Sequence, residues 1–195
     1  MDALERLFEE SFPSVSTEAR AQVRSFFAQN QRSHKWMFAA SVAPEPAQGD
    51  IVVELPTFFF ESGRVRVSRA RCPVILLEHE CDMVPKRSET YVFAPLFPYE
   101  KVVTRFADRS ALDSNIITTK LLMRGIPGLG GDYIADFDML GSISARSFHE
   151  SVSKGELRRV ASLSRDGFYF LLSKLSAHLL RASRERWPAE RSPPG

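Results

Sequence analysis

The segment His79–Asp82 concentrates four side chains that can exchange protons, bind metals or attack electrophiles. It follows the apolar run 73–77, which is typical of a buried strand, and it precedes a loop. Alternate strand residues share a face, so His79 and Cys81 would lie side by side if the strand continued. An enzyme site would then combine a Cys81 thiol nucleophile, a His79 base and Asp82, or these residues would belong to a degenerate nuclease. In the alternative interpretation, Cys81 is a small buried apolar residue and Asp82 caps the loop.

The same segment offers ligand types for zinc, with Cys72 nearby in sequence. Zinc sites usually announce themselves by a Cys-x-x-Cys or His-x₃-His pair, and neither spacing occurs here. The glycines at 128–131 lack the Lys-Ser/Thr ending of a phosphate loop, and there is no dinucleotide fingerprint. We therefore predict no metal and no cofactor.

Four arginines are closely spaced along one predicted strand, at Arg64, Arg66, Arg69 and Arg71. The aromatic run Phe58–Phe60 lies just before them in the sequence. Basic and aromatic side chains on one surface are typical of proteins that bind single-stranded nucleic acid by charge and stacking. The alternative is a solvated edge strand whose arginines deter aggregation.

Composition and length indicate an ordinary globular chain. It has 195 residues, of which 44% are hydrophobic and 26% charged, and its 15 phenylalanines can build a sizeable core. The first ten residues carry four acids and lack the basic start of an export signal, and no run approaches the ~20 apolar residues of a membrane span. With only two cysteines, the sequence predicts a cytoplasmic protein without a membrane partner.

The net charge of +2 is unevenly distributed. Residues 146–195 contain ten Lys and Arg residues against five Asp and Glu residues, so the surplus lies entirely in this segment. Such a bias attracts phosphate backbones but is also common on solvated helices. RNA or DNA, a protein partner and self-association all stay open as partners.

Hydrophobic periodicity divides the chain into four parts. Residues 1–48 predict an N-terminal helical segment that ends in a Pro-rich linker. Residues 49–147 predict short antiparallel strands with a helical insertion near 99–125, and such strands close most economically as a small barrel or sandwich. Residues 148–187 predict an amphipathic C-terminal helix with Ser164 as its N-cap, and residues 188–195 a disordered tail.

Segments 49–56 (GDIVVELP), 71–77 (RCPVILL) and 91–96 (YVFAPL) resemble the opening of MazF/PemK-type proteins. Those proteins are small SH3-like barrels, and many are toxin endoribonucleases of toxin–antitoxin systems. The resemblance implies an α+β fold with a small SH3-like antiparallel β-barrel, flanked by N-terminal helices and a C-terminal amphipathic helix. The pair Cys81-Asp82 before a Val-x-Ala-Pro strand also resembles bacterial and phage proteins with the same pair after an apolar strand.

Two departures from that family bear on function. In the toxins an arginine directly precedes the strand proline, whereas here Cys72 separates Arg71 from Pro73, and one inserted residue reverses the strand face. Phe97 stands where the toxins have Ser or Thr, and its ring cannot supply that hydrogen bond. We therefore expect a nucleic-acid-associated module of microbial defence or toxin–antitoxin type that is not a competent ribonuclease. The alternatives are an enzyme using His79, Cys81 and Asp82, and a protein-binding scaffold.

Overall fold

The structure is a computed structural model that describes residues 34–61, 64–79, 81–83, 88–115 and 117–184. Side chains are described within these ranges except at 34–35, 58–61, 64–70 and 180–184. The predicted N-terminal helices up to residue 33 and the predicted tail 188–195 lie outside the described residues.

Seven antiparallel strands form one sheet, in the order β4-β5-β3-β2-β1-β7 with β6 beside β3. The strands are β1 Ile51–Glu61, β2 Arg64–Leu76, β3 Thr90–Pro98, β4 Lys120–Met123, β5 Tyr133–Asp136, β6 Gly141–Ser144 and β7 Arg158–Ala161. β3 is the centre of this arrangement, because Phe93 pairs with Leu76 of β2 on one edge and with Gly141 of β6 on the other. β5 pairs with the last residues of β3, Leu96–Pro98.

Four α-helices accompany the sheet: α1 Tyr99–Val103, α2 Arg109–Asp113, α3 Ala145–Ser153 and α4 Arg165–Arg184. Two 3-10 turns, His34–Met37 and Phe137–Met139, complete the described secondary structure. Within the described part of the chain, no helix is both long and apolar enough to cross a lipid bilayer.

The central strands are buried on both faces and contribute alternate residues to two cores. Ile75 and Ala94 pack with Phe170 and Leu171 of α4 and with Met37 on one face of the sheet. On the other face, a cluster from β1, β2 and β3 packs against α3; its members include Val52, Val74, Leu76, Phe93, Ala145 and Phe148. A third, smaller cluster of Tyr99, Leu112, Leu122 and Ile134 joins α1 and α2 to β4 and β5.

The chain is α+β, but the predicted SH3-like barrel is wrong, because the sheet is open. A barrel encloses a single core on its inner face. Here Val74 and Ile75, neighbours in one strand, point into two separate cores, each covered by a helix. With both faces occupied, the sheet gains its burial from helices instead of from closure on itself.

The C-terminal helix α4 forms as predicted, and the hydroxyl oxygen of Ser164 accepts a hydrogen bond of 3.0 Å from the Gly167 amide, which confirms the N-cap. Its buried face differs from the predicted leucine stripe: Leu179 is 61% exposed, whereas Lys174 is fully buried. Gly167 explains this rotation, because a Cβ there would collide with the carbonyl oxygen of Met37. The close approach of the helix to the 3-10 turn therefore decides which side chains face the sheet.

Two further elements differ from the sequence expectation. A helix predicted over Asn115–Met123 is replaced by β4, whose four residues are all buried. The strand β7 was not predicted, and it pairs with β1 at the edge of the sheet. In both cases tertiary pairing outweighs local preference.

Candidate functional site

The β1–β2 hairpin is longer than the sheet that supports it. β1 pairs with β7 only at Ile51–Val53, and β2 pairs with β3 only at Val74–Leu76. From the pair Pro56–Arg71 outward to the pair Glu61–Arg64, the described ladder joins only the two hairpin strands. We call residues 56–61 and 64–71 the ribbon.

The inner end of the ribbon is packed and its outer part is not described at side-chain level. Thr57 is buried, and its hydroxyl lies 3.1 Å from the sulfur of Cys72. Burial raises the pKa of the Cys72 thiol, and the Thr57 hydrogen bond offsets part of that rise. The packed base of the hairpin therefore extends at least to Thr57.

All four predicted arginines lie on the β2 strand of the ribbon. Arg64 stands opposite Glu61, Arg69 opposite Phe58 and Arg71 opposite Pro56 in the ladder. Phe58 and Phe59 occupy the partner strand, so the structure brings the basic and the aromatic segments together as neighbouring strands. The ribbon holds four arginines and one acid, Glu61.

Glu54 marks the base of the ribbon. Its φ of +67° is unusual for a residue other than glycine, and it lies at a register shift between Val52 and Leu55 that marks a bulge in β1. A carboxylate oxygen of Glu54 lies 3.5 Å from a guanidinium nitrogen of Arg71, and both side chains are about half exposed. This acid is thus placed to neutralise one of the four arginines.

His79, Cys81 and Asp82 lie in a tight exposed turn, not on a strand. β2 ends at Leu76, and the amides of Asp82 and Met83 donate to the carbonyl oxygen of His79. The Nδ1 atom of His79 accepts from the backbone amide of Cys81 at 3.2 Å, which occupies that ring nitrogen with backbone. The three residues are therefore close together, and their proposed catalytic role stays a prediction.

This turn is anchored from below by a buried tyrosine. The Tyr91 hydroxyl donates to the carbonyl oxygen of Met83 at 2.7 Å, so the Nε2 atom of His149 on α3, also at 2.7 Å, must donate to it. Burial, with the nearby negative charge of Glu78, raises the pKa of Tyr91. The lone histidine at 149 thus has a structural role that the sequence did not indicate.

A buried ion pair ties the segment before β1 to β7. Asp50 is fully buried and accepts from Arg159 at 3.0 Å and from the Ser162 hydroxyl at 2.5 Å. Arg159 also donates to the carbonyl oxygens of Pro44 and Glu45, in the predicted linker. Arg158, its exposed neighbour, stands opposite Val53, beside Glu54 at the base of the ribbon.

A second polar cluster surrounds Tyr99 at the opposite end of the sheet. The Tyr99 hydroxyl donates to Asp113 at 2.6 Å and accepts from Arg109 at 2.9 Å. Arg124 lies over the same ring at 5.7 Å and binds Asp113 and Asp132. Both guanidiniums have carboxylate partners within the cluster, so it serves to hold α2 and the 124–132 segment to the sheet.

Next to this cluster is an open groove of about 400 Å³, lined by Pro98, Tyr99, Glu100, Gly130, Gly131, Asp132 and Tyr133. Its charged lining residues are the acids Glu100 and Asp132, and Asp132 is already engaged by Arg124 and the Gly125 amide. The groove therefore offers little to an anionic ligand.

Lys174 is the most unusual ionisable group among the described residues. It is fully buried, and its Nζ atom donates to the carbonyl oxygens of Asn115 and Ile117 at 2.6 and 2.5 Å. Burial lowers the pKa of Lys174 to about 7. Helical spacing had placed this lysine on the solvent side of α4, and the sequence carries no signal against that placement.

Within the described ranges, no group of three or more His, Cys, Asp or Glu side chains is placed to hold a metal ion. No protein-family model matches the chain, and no curated protein matches it in sequence. The resemblance to MazF/PemK-type proteins therefore stays a prediction, and the ribbon is the strongest candidate site on geometric grounds.

Proposed function

We propose that the protein binds nucleic acid through the ribbon and does not cleave it. The observation that carries this proposal is the pairing of residues 56–61 with 64–71 beyond the strands that flank the hairpin. A hairpin that continues past its sheet sets its side chains apart from the core. Four arginines on such an arm need a function other than packing.

Charge supports a polyanionic partner. Arginine binds phosphate through a planar fork of donors, and every phosphate it neutralises releases a counterion. Among the 14 ribbon positions the sole acid is Glu61, so the arm is strongly basic although the whole chain carries only +2. The exposed Arg158 extends the basic surface from the ribbon base onto β7.

Binding without cleavage follows from the residues that replace the toxin residues. Phe97, in the position of the toxin Ser or Thr, lies in β3 and pairs with Ile134. Arg71 lies beside Glu54 at the base of the ribbon. The predicted setting in microbial defence or a toxin–antitoxin system goes with this proposal as an expectation.

The test is a titration of fluorescent single-stranded RNA, single-stranded DNA and duplex DNA with the purified full chain at 50 and 200 mM salt. Four phosphate contacts predict a slope of log affinity against log salt of about −3 to −4. A variant with Arg64, Arg66, Arg69 and Arg71 changed to Gln should lose most of this slope. The matched control is Arg146→Gln, an arginine on α3 whose side chain is 87% exposed.

Each sample is then run on a denaturing gel. Salt-sensitive binding that depends on the ribbon arginines, with intact oligonucleotides, supports the proposal. Absence of binding at 50 mM salt, or equal loss in the Arg146→Gln control, would overturn it. Shortened oligonucleotides would overturn the part that excludes cleavage.

A further inference from the structure

We infer that the nucleic acid bound by the ribbon is B-form duplex DNA, and that the ribbon enters its major groove. This inference rests on the proposed function and adds the class of ligand and the mode of docking. It is drawn from the shape of the ribbon, the position where its packing ends and the spacing of its arginines.

The width of the ribbon suits one groove. Two antiparallel strands lie about 4.8 Å apart, and with side chains such a ribbon fits the B-form major groove, which is about 12 Å wide. The minor groove is only about 6 Å wide, and the major groove of A-form RNA is deep and narrow. Duplex DNA is therefore the double helix that can accept this arm.

The length of the ribbon suits the same groove. Thr57 is buried, so the free part begins at the pair Phe58–Arg69 and continues to the pair Glu61–Arg64. Three strand steps span about 10 Å, to which the connecting turn adds. This slightly exceeds the depth of the major groove, about 8.5 Å, so the tip can reach base edges while the base of the hairpin stays at the rim.

The arginine spacing matches the duplex repeat. Positions 64 and 66, like 69 and 71, are two residues apart, or about 6.8 Å along the strand. Two base-pair steps of B-form DNA span about the same distance. Alternate arginines can thus meet alternate base pairs or phosphates without bending the strand.

Position along the ribbon divides the arginines into two groups. Arg64 and Arg66 lie next to the tip, where arginine can bind guanine O6 and N7. Arg69 and Arg71 lie nearer the rim, and Arg158 stands on β7 at the hairpin base. We assign base reading to the tip pair and phosphate binding to the rim group.

The experiment compares three 20-nucleotide ligands of one sequence: duplex DNA, duplex RNA and single-stranded DNA, each titrated into the full chain at 100 mM salt. Duplex DNA is expected to bind at least about tenfold more tightly than either of the others. Dimethyl sulfate footprinting on a mixed-sequence duplex then reports the groove, since guanine N7 lies in the major groove and adenine N3 in the minor groove. Protection of N7 with N3 unchanged is expected.

Two double variants test the division of roles. Arg64→Gln with Arg66→Gln should abolish N7 protection and narrow the difference between good and poor sequences. Arg69→Gln with Arg71→Gln should weaken binding equally for all sequences and reduce the salt slope by about 2. Arg146→Gln should match the wild-type protein in every assay, and unchanged melting temperatures show that the variants are folded.

The outcomes separate this inference from the proposed function. Preference for single-stranded DNA or duplex RNA, or protection of adenine N3, overturns the major-groove inference; if binding still requires the ribbon arginines, the proposed function stands. Absence of arginine-dependent binding to all three ligands overturns both.

Discussion

Glu54 and Arg71 face each other at the base of the ribbon, with 3.5 Å between carboxylate and guanidinium. The acid sits at a bulge in a left-handed backbone conformation, so the bend of the strand itself brings it next to the arginine. The pair is half exposed and adds little stability. It is better understood as a local counter-charge that a phosphate must displace.

Replacement of Glu54 by Gln should therefore strengthen nucleic-acid binding. Loss of one exposed counter-charge predicts an affinity gain of about two- to five-fold at 100 mM salt. Titration of labelled duplex DNA measures it. Glu150→Gln, which removes the exposed partner of Arg146 on α3, is the control and should leave the affinity unchanged. Equal or weaker binding by the Glu54 variant would show that Arg71 does not contact the ligand.

Lys174 should give the protein a stability that rises above neutral pH. Its folded pKa is about 7 and its ordinary value 10.5, so below pH 7 both states hold the proton and above 10.5 neither does. Between these limits the unfolded chain binds more protons, and the free energy of unfolding should rise with pH by up to about 1.4 kcal/mol per unit.

Urea denaturation from pH 6 to 10, with Lys174→Met as the reference, measures this effect. The variant shares every other titrating side chain, so the difference between the two curves isolates the lysine. A constant difference across the range would show that Lys174 keeps its proton in the folded state.

Asn115 should be important for stability because it combines backbone and side-chain roles. Its φ is +55°, and its buried side chain accepts from the Leu122 amide at 2.6 Å and donates to the Leu122 carbonyl oxygen at 3.1 Å. Asn115→Ala should lower the free energy of unfolding by about 2–4 kcal/mol, since it strains the backbone and leaves both Leu122 groups unpaired. Asn115→Gly relieves the strain and should cost less. Urea unfolding compares the two, and identical losses would assign the whole effect to the hydrogen bonds.

Asp50 should be far more sensitive than an exposed acid. Asp50→Ala leaves Arg159, whose side chain is only 12% exposed, without its carboxylate, and should cost about 3–5 kcal/mol. Glu150→Ala breaks the exposed pair with Arg146 and should leave the denaturation midpoint unchanged. A small effect of Asp50→Ala would mean that water or the carbonyl oxygens of the 44–45 segment compensate Arg159.

The two cysteines should differ in reactivity. Cys81 is exposed, whereas Cys72 is partly buried, hydrogen-bonded to Thr57, and has a raised pKa. With a thiol reagent at pH 8 we expect Cys81 to react first and Cys72 slowly. In denaturant the two rates should become similar. Fast modification of Cys72 in the folded protein would place the hairpin base in solvent.

Much of the sheet could be predicted from sequence because strand signals are local. The alternation at 64–69 and the apolar run at 73–77 both lie in β2, and Ser164 begins the last helix. Closure of the sheet could not be predicted, since it depends on which helices cover its faces. The resemblance suggested a barrel, and the helices α3 and α4 on opposite faces exclude one.

The candidate site shows the same division. The arginine spacing and the neighbouring phenylalanines are visible in the sequence, but their isolation on a ribbon depends on where β3 and β7 stop pairing. The catalytic geometry expected for His79 and Cys81 required a strand that continues, whereas β2 ends at Leu76. Lys174 was assigned to solvent because helical periodicity gives spacing and not absolute rotation.

The sequence by itself determined the α+β class, most strand positions, the capped C-terminal helix and the basic strip, because each depends on residues close together along the chain. Only the tertiary structure decided the open sheet, the ribbon, the Asp50–Arg159 pair and the burial of Lys174. These features join residues separated by many positions, such as Asp50 with Arg159 and Lys174 with Asn115, and such pairings follow from packing of the whole chain.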